Sequence, residues 1–530
     1  VALEKDGQTL WERTLDLSPV SMLTELVPDA GGDPTALTLR VSDAQGRLLV
    51  SYTPEPERIE KTPEPAKAAP DPADARTNED LFLYGQHIEQ YRHATYLPED
   101  YYLEGLRRDP TDARINNAYG LLMMRRGRFE QAQRHFRAAI AKYTRSNPNP
   151  YDSEPYYNLG VCLKLTGRLD EAYDAFYKAT WSGAWQAPAF YAMACVKAAQ
   201  GDFDLALSHV ERSLVQGAHN LKARALKAAL LRRLGQKQAA LALARESLTI
   251  DPIDCAARYE LGGETRERLL ASICENPNWC IELALTYADA GLYAEAENIL
   301  TAASQAGQHY PLVHYYLADF CERQGKQDAA ARQRATAASA PSDYCFPHRL
   351  EDLLVLNRAL EKNPDDAKGW YYLGNLWYDK RQYTQAIDCW ERSRALDGRF
   401  PTAHRNLALA YFNKCGRPDD ALDEMEQAFA LDRTDARVLM ELDQLRKKRG
   451  MSAPERLKAL EENRECVLQR DDLYLEYITL YNALGRHEQA LEMLLGRQFH
   501  PWEGGEGKVP AQYRLALTEL AKRALAAGDA

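Results

Sequence analysis

The sequence lacks a long apolar run and an excess of positive charge. No stretch of about 18 consecutive apolar residues occurs, so the sequence predicts no membrane-spanning helix. The formal net charge of −11 removes the general positive field that draws a protein to nucleic acid. We therefore expect neither a membrane nor a nucleic acid as a partner of this chain.

Motifs of catalysis are also missing. We find no glycine-rich phosphate loop, no serine or cysteine nucleophile motif and no HExxH pair. Adjacent carboxylates such as Asp419 and Asp420 lie at predicted turns or exposed helix faces, where charges are solvated. The sequence predicts no catalytic residue and no cofactor for this chain, and leaves open whether the full-length protein is an enzyme.

Paired cysteine motifs are absent as well. The ten cysteines occur singly, without CxxC, and the nearest pair, Cys274 and Cys280, does not match a zinc knuckle. Most stand at apolar helix positions, where cysteine acts as a small hydrophobic residue. Because unpaired thiols persist in a reducing compartment, the sequence predicts a cytoplasmic location.

What the sequence does contain is a glycine that returns at a fixed interval. Gly167, Gly201 and Gly235 stand 34 residues apart, and each is followed five residues later by an alanine, the first being Ala172. A period of this length indicates stacked helical hairpins, in which neighbouring units complete one another's core.

The residues around each glycine resemble the tetratricopeptide (TPR) repeat. In the string YYNLGVCLKLTGRLDEAYDAFYKA, we expect Gly160 to lie where two helices cross and Phe176 to fill the gap between hairpins. Gly167 should end the first helix in a left-handed conformation. In a later copy that begins at Trp370, Arg381 takes the place of the turn glycine.

The fold class we predict is all-α. It is a TPR solenoid, a right-handed superhelix of antiparallel helix pairs with about ten to eleven repeats over residues 79–530. Spacing irregularities predict an extra helix around 259–272, a lone helix at 350–364 and a last, unpaired helix at 512–525.

The N-terminal residues have a different pattern. Residues 3–5, 9–17, 36–42 and 47–52 read as strands of two hairpins, too few for a stable β domain. We interpret residues 1–52 as the C-terminal strands of a truncated β-sandwich, residues 53–78 as an extended proline-rich linker, and the whole chain as a fragment.

Projection of the first helix of each repeat predicts a concave binding groove. An aromatic and amide-rich groove suits an extended peptide or a sugar, although the same tyrosines could instead fill space between helices. The lysine and asparagine clamp by which some TPR domains hold chaperone tails is not reproduced. The predicted groove residues are Tyr157, Tyr191, Tyr315, Tyr371, Asn375, Tyr378, Asp379, Arg405 and Asn413.

A second candidate site is the loop QFHPWEGGEGK at residues 498–508. It combines three glycines with His500, Trp502, Glu503, Glu506 and Lys508, which favours a docking or ligand loop. A metal site on the histidine and the two glutamates, or a solvated turn, are the alternatives. For two other insertions, 147–155 and 343–352, we favour rigid connectors, with a binding site as the alternative.

Several longer strings, among them NPNPYDSEPYYNLG, SDYCFPHRLEDLLVL and FHPWEGGEGKV, resemble a bacterial family that carries the domain of unknown function 5107. The resemblance implies that a mutarotase-like β region precedes the TPR array. It carries no catalytic residue over to this chain.

Two functions follow from these observations. The first is a non-catalytic scaffold that binds a protein, a peptide or its own β domain through the concave surface and the 498–508 loop. The alternative is an accessory module of a cytoplasmic carbohydrate-active or sugar-binding protein. In that case Trp181, Trp185, His500, Trp502 and Glu503 should face the β domain.

Overall fold

A computed structural model of the chain describes residues 1–16, 23–27, 33–56, 62, 64–65, 67–307 and 309–528. The described residues form a small sheet followed by helices. They divide into two compact units. One comprises Val1–Gly120 with Arg134–Leu269, and the other comprises Leu121–Gln133 with Leu270–Ala530.

The sheet has four antiparallel strands in the order β2-β1-β3-β4. A two-residue turn joins the first two strands, with positive φ at Asp6 and Gly7, as the twist of a tight hairpin requires. Both predicted hairpins are confirmed, although β2 is shorter than predicted and the predicted end of that strand, Leu17, lies outside the described residues. The strands are β1 (Ala2–Lys5), β2 (Gln8–Glu12), β3 (Leu37–Ser42) and β4 (Leu48–Tyr52).

The helices follow one another with short connections. In chain order they are α1 (Asn78–Gln90), α2 (Pro98–Arg108), α3 (Ala113–Arg125), α4 (Phe129–Tyr143), α5 (Glu154–Leu165), α6 (Leu169–Ala179), α7 (Gln186–Ala199), α8 (Phe203–Gln216), α9 (Leu221–Arg233), α10 (Lys237–Ile250), α11 (Cys255–Leu261), α12 (Gly263–Ile273), α13 (Pro277–Ala288) and α14 (Tyr293–Gln305). The remaining helices are α15 (Pro311–Arg323), α16 (Gln327–Ser339), α17 (Leu350–Lys362), α18 (Ala367–Asp379), α19 (Tyr383–Leu396), α20 (Pro401–Ala410), α21 (Pro418–Leu431), α22 (Ala436–Lys448), α23 (Ala453–Glu461), α24 (Arg464–Val467), α25 (Asp471–Ala483), α26 (His487–Leu495) and α27 (Lys508–Ala527). Short 3-10 turns lie at Pro34–Ala36, Pro72–Asp74 and Gly183–Trp185, and a π-helical turn lies at Tyr411–Cys415.

The predicted stack of helical hairpins is confirmed. Gly160 on α5 lies against Phe176 of α6, and a Cβ at this glycine would stand 2.6 Å from the phenylalanine ring. Ala172 is fully buried at the same crossing. Gly167 has φ +78° between the two helices, a conformation that is cheap only for glycine. Small residues at the crossing therefore let each pair of helices approach closely.

The irregular segments agree with the spacing in part. The lone helix is confirmed as α17, and Arg381 adopts φ +60° at the turn where other copies have glycine. The extra helix predicted around 259–272 is instead two helices, α11 and α12. Gly262 and Gly263 both have positive φ and interrupt the helical backbone between them. The predicted last helix is confirmed as α27, which begins at Lys508.

The prediction of an extended linker at 53–78 is wrong for its last part. Ala69 and Ala75 pack with Leu81, Ile88 and Tyr101 of the first hairpin in one apolar cluster. The Tyr101 hydroxyl donates to the carbonyl of residue 70 at 2.8 Å, and Arg108 donates to three carbonyls of residues 72–75. The first hairpin thus supplies side-chain donors to the carbonyls of this segment, where proline removes backbone N–H groups. Residues 57–61, 63 and 66 of this segment lie outside the described residues.

The second unit includes the turn between α3 and α4, which is remote in sequence from the rest of that unit. Gly127 lies so close to α17 and α18 that a Cβ there would stand 2.8 Å from Leu353 and 3.0 Å from Trp377. Arg128 donates to the side chain of Gln382 at 2.8 Å.

Within the described part of the chain, no helix is both long and apolar enough to cross a membrane.

Candidate functional site

The second unit contains a groove with a volume of about 940 Å³. Its floor and sides come from α18, the first two turns of α20, and the start of α22 with the turn before it. The loop of residues 342–348 forms the remaining wall and is called the wall loop below. The lining residues are Ser342, Asp343, Tyr344, Phe346, Pro347, His348, Tyr371, Asn375, Asp379, Pro401, Thr402, Arg405, Asn406, Asp432, Asp435, Arg437 and Val438.

The floor of the groove is a bonded set of aromatic and amide groups. The Asn375 Oδ1 atom accepts from Trp390 Nε1 at 3.1 Å and from Asn406 Nδ2 at 2.9 Å. Tyr371 is only 7% exposed and lies edge-on to Phe400, with ring centroids 4.6 Å apart. Burial raises the pKa of Tyr371, so its phenol stays neutral. The floor therefore offers oriented polar groups on a rigid base.

The wall loop is fixed from beneath. Asp352, which is fully buried, accepts from the backbone N–H groups of His348 at 2.8 Å and Arg349 at 2.9 Å. Its other oxygen accepts from the Tyr316 hydroxyl at 2.6 Å. Burial, followed by the nearby Asp352 charge, raises the pKa of Tyr316, which keeps this donor protonated. A buried carboxylate thus supplies the acceptors for two part-buried N–H groups of the loop.

Two further contacts hold the wall loop in place. Cys345 is buried, and burial raises the pKa of its thiol to about 12, so it acts as an apolar anchor and not as a nucleophile. On the groove side, Lys380 Nζ donates to the His348 carbonyl at 2.7 Å. The loop is consequently held at its middle and at its end.

The anchored loop presents two aromatic side chains outward. Tyr344 is 85% exposed and Phe346 is 66% exposed, on either side of the buried Cys345. Tyr344 has φ +57°, a conformation that is uncommon for a bulky residue and that persists where surrounding contacts impose it. Exposed aromatic rings on a fixed backbone are typical of recognition surfaces.

Charged groups line the opposite side. Arg405 is paired with Glu441 of α22, with Nε and Oε2 2.7 Å apart, and Arg437 donates to the other oxygen of Glu441 at 3.3 Å. Asp435 begins α22 and accepts from two backbone N–H groups. Asp432 accepts from the backbone and hydroxyl of Thr434, and these bonds lower the pKa of Asp432. Both carboxylates are therefore held in fixed orientations.

The structure brings together four of the residues predicted to line the inner surface: Tyr371, Asn375, Asp379 and Arg405. Tyr378 lies on the same helix but packs against Tyr383 and Trp390 and does not line the groove. Asn413 is exposed in the π-helical turn and is also outside the groove lining. That any of these residues binds a ligand stays a prediction.

The prediction that Tyr315 lies on an open surface is wrong. It is 1% exposed, and its hydroxyl donates to the Asp366 side chain at 2.7 Å. Asp366 begins α18, so the tyrosine joins two helices. In the first unit, Tyr157 is half-buried between Phe176 and Trp185, and Tyr191 is half-buried on α7.

The loop of residues 498–508 packs on the last hairpin. Phe499 and Trp502 lie against the apolar cluster of α22–α26, and the Trp502 ring leaves no room for a Cβ at Gly505, which would stand 2.3 Å away. His500 is bonded to Asp471, with Nδ1 and Oδ2 3.1 Å apart, yet its side chain is 84% exposed.

Glu503, Glu506 and Lys508 of this loop are exposed. In the described ranges, no group of three or more histidine, cysteine or acidic side chains is placed to hold a metal ion. The metal alternative for His500, Glu503 and Glu506 is thus unsupported, and the polar residues lie around an apolar anchor.

Trp181 is half exposed beneath Lys178 Nζ, 3.4 Å from its ring centroid, and its predicted contact with a β domain stays a prediction.

The sequence interpretation missed the wall loop. For residues 343–352 a connector was favoured over a site, because proline and aspartate are common in turns. The signal that could have identified them is the pair of large aromatic residues, Tyr344 and Phe346, in a turn segment. Asn406, Asp432 and Asp435 were not among the predicted groove residues, although Arg405, the neighbour of Asn406 on α20, was.

Comparisons with known proteins agree with the hairpin stack. The tetratricopeptide repeat family matches residues 111–180, 191–253, 281–344 and 367–400, so TPR repeats occur across the chain. The second domain of YphG-like proteins matches residues 1–52. The family found at these strands is the YphG-like one, and the resemblance to the domain of unknown function 5107 stays a prediction.

Individual relatives are distant. The cytochrome c-type biogenesis protein CycH of Pseudomonas aeruginosa is 33% identical over 72 residues, which are 13% of this chain and 18% of that protein. The chain therefore spans less than a fifth of the length of this curated relative.

Among solved structures, a TPR protein from Parabacteroides merdae is 15% identical, over 56% of this chain and 98% of that one, with a TM-score of 0.28. The TPR domain of P58(IPK) is 16% identical, over 70% of this chain and 99% of that domain, with a TM-score of 0.24. At these TM-scores the similarity carries no argument about a site.

Proposed function

We propose that this chain is a non-catalytic protein-binding scaffold, and that the groove of α18, α20, α22 and the wall loop receives an extended segment of a partner polypeptide. The observation that carries the proposal is the combination of TPR repeats with this groove, where exposed aromatic rings stand over a floor of oriented amides. Stacked repeats present extended surfaces that such proteins use for binding.

The groove has the size and chemistry for such a ligand. Its volume of about 940 Å³ lies within the range of roughly 300–1,000 Å³ that is usual for ligand sites. The amides of Asn375 and Asn406 stand on α18 and α20 and are bonded to each other, and a side-chain amide can both donate to and accept from the N–H and C=O groups of an extended backbone. Side-chain specificity would then come from the wall loop.

The test is selection of linear peptides from a random displayed library on the whole chain, followed by affinity measurement with Tyr344→Ala. Since this ring is exposed, its loss should leave thermal stability unchanged while weakening the selected peptides by about tenfold or more, as at an interface hot spot. Tyr151→Ala is the matched control, because Tyr151 is a fully exposed tyrosine outside the groove lining. Equal losses in both variants, or no selected peptide, would overturn the proposal.

Two finer parts of this function stay predictions. One is a contact between the 498–508 loop and a β domain or partner, for which the exposed His500, Glu503, Glu506 and Lys508 are the available groups. The other is the alternative role beside a cytoplasmic carbohydrate-active or sugar-binding protein, which rests on the family resemblance alone.

A further inference from the structure

We infer that the groove recognises a lysine or arginine side chain of the bound segment, held between the wall loop and the turn before α22. This inference rests on the proposed function, because it names the chemistry of the ligand for the same groove. It follows from the charges of the groove lining, their pairing and the position of the exposed rings.

Aspartates are the most numerous charged residues of the groove lining. Four of them face the groove: Asp343, Asp379, Asp432 and Asp435. Asp379 is paired with Lys380 at 3.0 Å. Among the described residues, the other three form no ion pair with a lysine, arginine or histidine. Three carboxylates of one groove are therefore without an ion-pair partner, and Arg470, which is bonded to Asp472, interacts with Asp435 only at longer range.

The cations of the groove are already engaged. Arg405 and Arg437 both bond Glu441, so these two guanidinium groups share one carboxylate. Lys380 spans Asp379 and the His348 carbonyl. The four aspartates and Glu441, counted together with Arg405, Arg437 and Lys380, carry a net charge of −2. A cationic side chain is thus favoured over a phosphate or a carboxylate of the ligand.

The unpaired carboxylates are firmly oriented. Asp432 and Asp435 are fixed by backbone N–H groups of the turn and the first turn of α22, at distances of 2.8–3.0 Å. Each of these bonds uses the Oδ1 atom. The Oδ2 atoms of both residues are left for a ligand donor. A fixed acceptor binds a cation with a smaller loss of side-chain entropy than a mobile one.

The exposed rings supply the other half of the site. A lysine or arginine has an apolar stem that packs on aromatic faces and a charged end that requires an acceptor or water. Tyr344 and Phe346 stand beside Asp343 on the wall loop. The apolar stem and the charged end of a ligand side chain can therefore both be bound by this loop. A cation over either ring gains further attraction from the ring quadrupole.

The experiment uses the peptides selected on the whole chain. We expect lysine or arginine to be enriched in them relative to the unselected library. Replacing the enriched arginine by citrulline, which keeps its shape and removes its charge, should weaken binding by roughly tenfold, the usual loss for a hydrogen bond to a charged group. The loss should shrink as ionic strength rises from about 0.01 M to about 0.15 M, since the Debye length falls from about 30 to about 8 Å.

Two double variants test whether Asp432 and Asp435 bind the cationic side chain of the peptide. Asp432→Asn with Asp435→Asn keeps the Oδ1 acceptors, and hence the turn, but removes both charges. The control is Asp109→Asn with Asp112→Asn, because these aspartates make the same bonds to Thr111, Arg114 and Ile115 at another hairpin. The groove pair should abolish the difference between arginine and citrulline peptides, whereas the control pair should preserve it.

The outcomes separate the two claims. Peptides that are weakened by Tyr344→Ala but show neither enrichment in basic residues nor a loss with citrulline would overturn this inference and leave the proposed function standing. A charge preference that survives Asp432→Asn with Asp435→Asn would also overturn it, because the cation would then bind elsewhere. Failure to select any peptide would overturn both claims.

Discussion

The wall loop and the loop of residues 498–508 are both insertions between helical hairpins, and both carry two large aromatic residues. In the wall loop, Tyr344 and Phe346 are exposed, while Cys345 and the Asp352 network hold the backbone. In the second loop the arrangement is reversed, because Phe499 and Trp502 pack on the core and the polar residues face solvent. The side chains that anchor a loop are therefore not the ones it offers to a partner.

The difference shows which sequence feature is informative. When aromatic residues anchor a loop, its polar residues are left exposed, as around His500. Exposed aromatic rings, as at Tyr344, require a separate anchor beneath them, since exposing apolar surface gains nothing in folding. The wall loop has that anchor, which makes it the better candidate for recognition.

The comparison of the two loops is tested most strongly by Asp352→Ala, which removes the anchor of the wall loop and should have the largest effect. The change leaves the buried Tyr316 hydroxyl and two part-buried backbone N–H groups without their acceptor, at a cost of about 3 kcal/mol in unfolding free energy. Hydrogen exchange of residues 342–352 should accelerate, the thermal midpoint should fall, and groove binding should be lost.

Asp343→Ala is the control for this prediction, because Asp343 is exposed on the same loop and forms no ion pair within the described part of the chain. It should leave hydrogen exchange unchanged. Equal protection of residues 342–352 in Asp352→Ala and the unaltered chain would show that the loop does not depend on this carboxylate.

A smaller effect is expected from Trp502→Ala. Trp502 is half-buried against the C-terminal cluster, so removal of its ring should cost about 2 kcal/mol, less than the loss of a fully buried tryptophan. Hydrogen exchange should rise in α25–α27 and not in the wall loop, and groove affinity should be retained. Parallel losses of groove affinity and C-terminal protection would contradict the separate roles of the two loops.

The smallest effect concerns pH and two histidine–carboxylate pairs. His404, on the groove helix α20, is bonded to Glu424 with Nδ1 and Oε2 2.6 Å apart, and this bond raises the pKa of His404 although burial opposes it. A raised pKa contributes stability that is fully present below the unfolded value of about 6.5 and is lost as pH rises through the folded pKa. The thermal midpoint should therefore decline over that range.

His404→Gln should remove this decline, and an NMR titration of His404 should give a pKa above 6.5. His500→Gln is the comparison variant. Because the ring of His500 is 84% exposed, its bond to Asp471 is a surface contact and contributes little. A decline that persists in His404→Gln would assign the pH dependence to another group.

The sequence predicted part of the groove because helical periodicity places residues on faces. Tyr371, Asn375 and Asp379 are spaced by four residues on α18 and lie together, as predicted. The same projection failed for Tyr315, since the acceptor that draws its hydroxyl into the core, Asp366, belongs to a different helix. Periodicity gives the face of a helix, and the neighbouring element decides whether that face is covered.

The hairpin stack was determined by the sequence itself. Glycine or alanine at a helix crossing and a residue tolerant of positive φ at the turn are local steric requirements, and their regular spacing is visible without a structure. The groove was decided only by the tertiary structure. Asp343, Tyr371, Arg405 and Asp435 come from four separate elements, and their exposure depends on which neighbours bury the rest of each element.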